Sequence, residues 1–580
     1  MNDFIVGIDL GTTNSLVGAV VDGKLRLFAD DNKEELLPSV VGIDESGKVI
    51  VGRSARNRRL LDPAGTVVSV KRKMGKDVQV RLGERELSPP QVSALIVSAL
   101  LDRAQAALGA RPSRAVITVP AWFDDKQREA TRTAGELAGL TVERLVNEPT
   151  AAAMTYQSGA EECVLVYDLG GGTFDVSVLD RDEGFLEVRS SRGDTELGGD
   201  DIDKALVELV LGRMGEGRSV IESDMRALTR LTEAVERAKI ALSDRLEVKL
   251  FDPFLAGEGA RSVHLDMTLT REDVDLVAKP FVERTLRCID DALGDAKVAP
   301  QSLHRVLLVG GASKMPIVAR MVTEHLKMPA LVDMNADRAV AMGASLLAGR
   351  AAGAQVDEVL VDITPHTLSA GVAGAGDGFI DVDNLLASPV IPRNTVVPVE
   401  KTRVYFTLEE NQRAVMVPIT QGEGEYVRDN TSLGTVVVGD LPPSPANSPV
   451  EVTFQLDLSG VLHASAKHVA SGRSATVTFA DSPYRLTELK RKSARAEVQE
   501  LLAAGTEDSS GPAIAKADLE LAKALLARAE KALEAASSAT DETRERVRGA
   551  MKDLSAAIEA GDPRMGELED ALSDALFDLM

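Results

Sequence analysis

Two stretches of the chain repeat one another: IVGIDLGTTNSLVGAV from Ile5 and LVYDLGGGTFDVSVLD from Leu165. Each is an apolar strand ending in Asp-Leu-Gly, then a Gly/Thr turn, then a second alternating strand, with Phe174, Val176 and Val178 on one face of the second copy. That pattern predicts a β-hairpin with a glycine-rich turn, made twice. Glycine lets the backbone come close to a ligand, and its exposed amides suit phosphate oxygens. Asp9 and Asp168 hold matching places in the two copies, where carboxylate oxygens suit a hydrated divalent cation. Two such hairpins facing each other would grip a nucleotide's phosphates from both sides.

Length and charge narrow the classes that remain. A chain of 580 residues, 44% hydrophobic, can bury several cores, so three or four domains are expected. Lys+Arg 66 against Asp+Glu 90 gives −24, which disfavours nucleic acid and anionic membrane as partners. Cys163 and Cys288 stand far apart without metal spacing, as suits a reducing compartment. The opening MNDFIVGIDLG has no basic n-region, so no secretory leader is expected, and no apolar run is long enough to span a bilayer. A cytoplasmic location is expected. There is no GxxxxGK[ST] loop, HExxH or CxxC, and His463 and His468 fall on opposite faces of a strand.

Composition changes character along the chain. Strand-like and helical stretches alternate to about residue 350, an α/β pattern. AAGAQVDEVLVD, with Val359, Leu360 and Val361 between acids, reads as a linker. From Ile363 to about Phe479 the text is all-β, broken by the proline-rich loop DLPPSPANSP. From Leu486 it is rich in Ala, Leu and Glu, with Leu519, Leu526 and Leu533 at heptad spacing, Gly511-Pro512 as a break and Asp562-Pro563 as a helix start. The tail reads as a helical bundle.

The motifs IDLGTTNS, VKRKMG, VITVPAWFDDKQREAT, LVNEPTAAA, YDLGGGTFD, LGGDDID, ERAKIALS, VLLVGGASKMP and ENQRAV stand in the order of a DnaK-type heat-shock chaperone, which the whole chain resembles. The resemblance implies a multidomain fold. An α/β actin-like (ribonuclease H-like) two-lobed ATPase spans 1–352, a linker 353–362, a β-sandwich peptide-binding domain 363–483 and an α-helical lid 484–580. It implies ATP/ADP and Mg2+ as cofactors and hydrolysis of the terminal phosphate, a reaction that needs charge neutralisation and a positioned water. Lys71 matches the catalytic lysine, Thr173 would supply its hydroxyl and amide to the phosphates, and Glu148 and Asp175 complete the wall around the attacking water. Asp9 and Asp168 would hold magnesium through waters. Gly11, Thr12, Thr13, Gly170, Gly171 and Gly172 would meet the phosphates. Gly198, Gly199, Glu236, Lys239, Ser243, Gly310, Gly311, Ser313, Lys314 and Asp337 would meet base and ribose. A generic surface lysine is the competing reading for Lys71, a helix start for Glu148-Pro149, and a solvated charged face for Glu236, Lys239 and Ser243, which share helical spacing.

Pro120 and Arg128 match positions that relay nucleotide state, although DDKQREATR also reads as an ordinary charged helix face. Docked as an added strand, the linker would pack on the ATPase domain. Ala370, Ala373, Phe406, Val415, Val417 and Val461 match the lining of a channel for an extended apolar peptide, with ordinary sandwich core the competing reading for each. Ala370 and Ala373 stand where bulkier side chains are usual, Lys314 where Arg is common, and the segment from Met74 to Val92 is short. The expected partners are unfolded or extended hydrophobic peptides, a J-domain co-chaperone and a nucleotide exchange factor, and a monomer is expected. LLPSVV, SVKRKMG, FDD and LGGDD also resemble the branch specialised for iron–sulfur scaffold proteins, but Leu246 to Asp275 is as long as in generalists. An actin-fold kinase or a filament protein would not need residues 363–580.

Overall fold

The computed structural model describes the chain apart from residues 1–3, 157–160, 183, 258–261, 333–334, 356–358, 374–383, 459, 479–487, 504–515, 536–539, 561–564, 566–567, 570, 573–574 and 577–580. Both predicted hairpins form. Ile5–Asp9 pairs antiparallel with Asn14–Val21, and Glu162–Leu169 with Phe174–Asp182. Phe174, Val176 and Val178 are fully buried in one core, as their alternation requires.

Each hairpin sits at the centre of a six-stranded sheet, and the two sheets share a layout. The first runs Thr141–Asn147, Arg114–Val119, Ile5–Asp9, Asn14–Val21, Lys24–Leu27, with Leu37–Pro38 added beside Asn14–Val21. The second runs Ala330–Val332, Arg305–Val309, Glu162–Leu169, Phe174–Asp182, Phe185–Asp194 and Val359–Val361. In both, two parallel strands lead into an antiparallel meander. A cluster of buried residues joins them, taking Ile5 and Val116 from the first and Val164, Val166 and Val309 from the second, with Ala151, Ala339 and Leu347 from the helices Glu148–Ala153 and Ala339–Ala351. The strand ends carrying Asp9 and Asp168 are thereby held as one body.

Beyond residue 363 two four-stranded sheets follow. Leu386–Ile391, Leu368–Val372, Val415–Gln421 and Thr431–Val438 form one, and Val399–Phe406, Pro449–Leu456, Leu462–His468 and Ser474–Thr478 the other. Alternate side chains of Pro449–Leu456 and Leu462–His468 are buried, the period expected of sheets packed on one face. The proline-rich loop before Pro449 is outside any strand. The helix Glu488–Ala503 does not lie on these sheets. Its Ala494, Val498 and Leu501 join the core of the first α/β unit against the helices Pro89–Leu108 and Asp125–Leu137. The helices Lys516–Ala535 and Asp541–Ala560 pack together, with Leu519, Leu526 and Leu533 half-buried in their shared core. Gly511-Pro512 and Asp562-Pro563 lie outside the described residues.

The linker docks as an added strand. Val359–Val361 pairs parallel with Phe185–Glu187 at the edge of the second sheet. The residue it buries is Leu360, 7% exposed within the cluster that joins the sheets, while Val359 and Val361 are only half-buried. Burying a leucine side chain stabilises by roughly 1.5–3 kcal/mol, and a charge there forfeits that and more. Leu360→Asp should therefore detach the strand. Limited proteolysis should cut near residue 360 faster than in the unaltered protein, with near-native melting of the rest, and unchanged cleavage would show that the edge strand is held by something else.

Candidate functional site

The two hairpin turns meet. A Cβ on Gly171 would lie 1.9 Å from Thr13 Oγ1, and one on Gly172 2.6 Å from Thr12 Cγ2, so only glycine fits where the turns touch. The first turn is braced from behind. Ser39 donates its hydroxyl to Gly11 O at 2.8 Å and its amide to Thr13 O at 2.8 Å, while Gly11 N donates to Ser15 Oγ at 3.1 Å. Gly198 and Gly199 stand against the second turn: Gly199 N donates to Gly170 O at 2.9 Å and Asp200 N to Gly171 O at 2.8 Å. They therefore belong beside the turns rather than farther back with Lys314. Gly310, at φ +83, closes over the end of the second hairpin, where a Cβ would be 2.4 Å from Leu169 O.

Carboxylates gather behind the turns. Asp168 and Asp175 are paired across the second hairpin, Asp9 ends the first strand, and Glu148 opens the helix Glu148–Ala153, so it is both a helix start and a site residue. Burial, reinforced by the charge of Glu148, pushes Asp9 up to about 7 and Asp175 up to about 8, and burial likewise raises Asp168 well above the carboxylate range. Thr118 Oγ1 donates to Asp9 Oδ1 at 2.9 Å and the Trp122 amide to Asp175 Oδ1 at 2.9 Å, both favouring the anion. Lys71, 3% exposed, ion-pairs with Glu148 and lies 5.9 Å from the Phe123 ring centroid. It is a buried cation among carboxylates, not a surface lysine. Its neighbour Arg72 instead makes a bidentate pair with Asp201 at 3.0 and 2.6 Å.

Such a set of hard oxygens with too few cations fits a magnesium ion. Among the described residues no three histidine, cysteine or carboxylate side chains cluster so as to hold a metal ion directly.

The outer cleft is a cavity of ≈ 580 Å³ lined by Thr12, Thr13, Arg56, Arg72, Asp200 and Glu236, among others. Lys239 is buried and pairs with Asp203 at 2.7 Å, and Glu236 pairs with Arg56 across the opening at 3.3 Å. Ser243 lies two residues beyond the helix Met225–Ala241 that carries both, in the turn that follows it. Ser313 is buried and spends its hydroxyl on the backbone, donating to Gly310 O at 2.6 Å. Lys314 ends the short helical turn Gly311–Lys314 and pairs with Asp337. Asp200, Asp201, Asp203 and Ser69 were not anticipated as site residues. Asp200 accepts from Ser69 Oγ at 2.7 Å, and their signal was the DDID that follows the two glycines.

Arg128 is not part of a solvated face. It is half-buried, donating to Phe123 O and Ala121 O at 3.1 Å and to Asn147 Oδ1 at 2.6 Å. Asn147 in turn donates to both oxygens of Asp362 at 3.0 and 3.1 Å, the residue after the linker strand. Burial lowers the Arg128 pKa, and Asp362 and Asp125 oppose that. Trp122, the chain's one tryptophan, carries the contact onward. Its ring meets His366 edge-on at 4.3 Å, and its carbonyl accepts from His366 Nε2 at 3.0 Å. Arg192 lies 5.3 Å from the Trp122 ring centroid and shares Asp295 with Arg393 of the sandwich, at 2.8 and 2.7 Å. Asp125 N donates to Gln421 Oε1 at 2.9 Å.

The residues matched to a peptide channel are dispersed. Ala370 and Val417 are buried in the sandwich core, Val415 packs against it, Ala373 and Val461 are half-buried, and Phe406 is 59% exposed. Tyr405, beside Phe406, turns inward and donates to Ser388 Oγ at 3.1 Å.

Comparison with known proteins places this geometry in a family. The model of the Hsp70 family, "Hsp70 protein", matches residues 5–82 and 76–576. The chain is 41% identical over 486 residues to Chaperone protein DnaK of Thermotoga petrophila, covering 82% of this chain and 80% of that protein. It is 40% identical over 532 residues to Chaperone protein DnaK of Mycoplasmoides gallisepticum, covering 90% and 86%. The chain belongs to the Hsp70 family. It is an ATP-dependent chaperone, with ATP hydrolysis as its enzymatic activity, and these DnaK relatives do not favour the iron–sulfur specialist reading. Among the described residues no helix is long and apolar enough to cross a membrane.

His366 makes the joint sensitive to acid. Burial holds its pKa below the ordinary value near 6.5, with the cation of Arg128 adding to this and Asp124 and Glu423 opposing it. A depressed pKa means the docked joint favours neutral imidazole. Its contribution is complete above the undocked pKa and falls away as pH drops below it. As pH falls from about 7.5 to 5.5 linker proteolysis should rise, tracked by Trp122 fluorescence, whereas His366→Phe should give a shallower proteolysis profile, with the buried carboxylates supplying what dependence remains.

Proposed function

We propose that ATP is hydrolysed between the two hairpin turns and that the linker strand carries the result to the sandwich. The division of labour is 1–352 for the actin-like two-lobed ATPase, 353–362 for the linker, 363–483 for peptide binding and 484–580 for the helical lid. The observation that carries this reading is the buried Lys71–Glu148 pair among three further carboxylates, directly behind the paired Gly/Thr turns.

In this reading the amides of Gly11, Gly170, Gly171 and Gly172 and the hydroxyls of Thr12, Thr13 and Thr173 meet the phosphates. Asp9 and Asp168 would hold magnesium through waters, and the ion would clamp phosphate oxygens and absorb developing charge. Glu148 and Asp175 orient the attacking water, while Lys71 holds that water and the terminal phosphate. Gly198, Gly199, Glu236, Lys239, Ser243, Gly310, Gly311, Ser313, Lys314 and Asp337 surround the rest of the nucleotide. Arg128, through Asn147 and Asp362, relays cleft geometry to the linker.

The docked arrangement is then the state that releases peptide, since Glu488–Ala503 is engaged away from the sandwich. Unfolded or extended apolar peptides are the clients, and a J-domain partner and an exchange factor act on a cytoplasmic monomer. Ala373, Phe406, Val415 and Val461 are proposed to face the peptide, with Ala370 and Val417 supporting them from within.

Lys71→Ala should keep nucleotide affinity and lose roughly a hundredfold or more in single-turnover hydrolysis, as removal of one preorganised charge does. Hydrolysis at the unaltered rate would sink the assignment. For the peptide site, Ala370→Ile would overpack a buried position, typically costing about 1–3 kcal/mol, so the informative variant is Ala373→Met. Added apolar surface at half-buried Ala373 should slow release of a labelled leucine-centred peptide in ADP, mostly through the off-rate, without changing basal hydrolysis. Unchanged dissociation would place the pocket elsewhere.

A further inference from the structure

The tail helices lie at the mouth of the cleft and touch both of its walls. The helix Arg53–Leu61 of the first α/β unit packs on Lys516–Ala535, and Asn57 Nδ2 donates to Glu569 Oε2 at 3.3 Å. Glu569 is 5% exposed, so this bond lies inside the contact. From the other side comes Phe251, on the strand Glu247–Ala256 that packs into the core of the second unit. It packs against the core shared by Ala522, Ala529, Val547, Leu554, Met565 and Leu572. The same Arg53–Leu61 helix carries Arg56, whose bond to Glu236 spans the cleft opening, and Arg56 and Glu236 both line the cavity.

We propose that these C-terminal helices are a clasp that retains nucleotide. The proposal rests on the reading that nucleotide occupies this cleft. A ligand held between two walls leaves when they part. Parting these walls must strip either Phe251 or the Arg53–Leu61 helix from the tail, exposing apolar surface and a buried polar bond. The cost falls on the open state alone, so the clasp slows exchange without entering the chemistry. By linkage, nucleotide that draws the walls together also favours the seated tail. The alanines at 522, 529 and 532 suit this role, because small side chains let helices approach closely while burying little area each. Such a contact can come undone on the timescale of exchange.

The test follows release of a ribose-labelled, fluorescent, non-hydrolysable ATP analogue from the full-length protein, chased with unlabelled ATP. Leu572→Asp should break the shared core and speed release by roughly threefold or more, leaving single-turnover hydrolysis intact. A second arm does not depend on how the tail tolerates a charge. Asn57→Cys with Glu569→Cys, in a background where Cys163 and Cys288 are replaced by Ala, can be joined by a bismaleimide with a disulfide in its spacer to tie tail to wall. Release should then slow by about tenfold and recover on reduction. Unaltered release in both arms, with tight nucleotide binding, overturns the clasp and leaves the cleft assignment standing. Failure of the unaltered protein to bind the ATP analogue overturns both.

Discussion

The crowding of Asp9, Glu148, Asp168 and Asp175 around Lys71 is the constraint on which the rest of the structure depends. Carboxylates taken out of water repel one another and resist ionisation, which is why Asp9 and Asp175 are pushed up to about 7 and about 8. One lysine and a more distant Arg128 do not balance four carboxylates. The cluster is tolerable because each carboxylate stands at the end of a strand or the start of a helix, fixed by the core that joins the two sheets. That rigidity preserves an imbalance which bound cations can relieve. A site of this kind binds a metal-loaded polyphosphate more readily than a neutral ligand, and its selectivity follows from charge before shape.

The same cluster is connected to the sandwich by contacts rather than by proximity. Asp175 accepts from the Trp122 amide, Trp122 holds His366, and Arg128 reaches Asp362 through Asn147. Each link is a hydrogen bond, and the one between Asn147 and Asp362 is buried, where losing a partner leaves a polar group unsatisfied at about 1–3 kcal/mol. Asp175 and Asn147 thus lie on one chain of contacts with the start of the sandwich. In the proposed coupling the linker strand is the element that moves, and it has only three residues and one well-buried side chain. Coupling needs such a marginal element.

What the sequence disclosed was local. Period-two alternation around the two DLG turns located both hairpins, because strand, turn and strand lie within sixteen residues and glycine marks the approach. The motifs around Lys71 and Glu148 single these two residues out, but not their pairing, which joins distant parts of the chain. Arg128 was ambiguous, because DDKQREATR offers charges on every side and the partners that bury it, Asn147 and Asp362, lie elsewhere in the chain. Ala370 and Val417 show a related limit: alternation separates inside from outside, but a sandwich has two packed faces and a channel rim. The meeting of Trp122 with His366 and the placement of the tail were illegible, since an amphipathic helix reveals that it needs a partner and not which one.

Glu488–Ala503 illustrates why that choice is left to tertiary balance. Its ion pairs, Arg491 to Glu136 at 2.9 Å and Arg85 to Glu500 at 3.0 Å, involve partly exposed side chains and are worth about 0–1 kcal/mol each. Gln91 adds a bond to Glu497 at 2.7 Å. The apolar anchor is small: Ala494, Val498 and Leu501, of which the last two contribute roughly 1.5–3 kcal/mol each when buried. Against this stands the entropy of ordering the helix on its seat. The surplus is modest, so a helix of this composition can leave one surface for another when the linker strand moves. A larger apolar face would hold the tail on the ATPase permanently, and a fully polar one would never seat it.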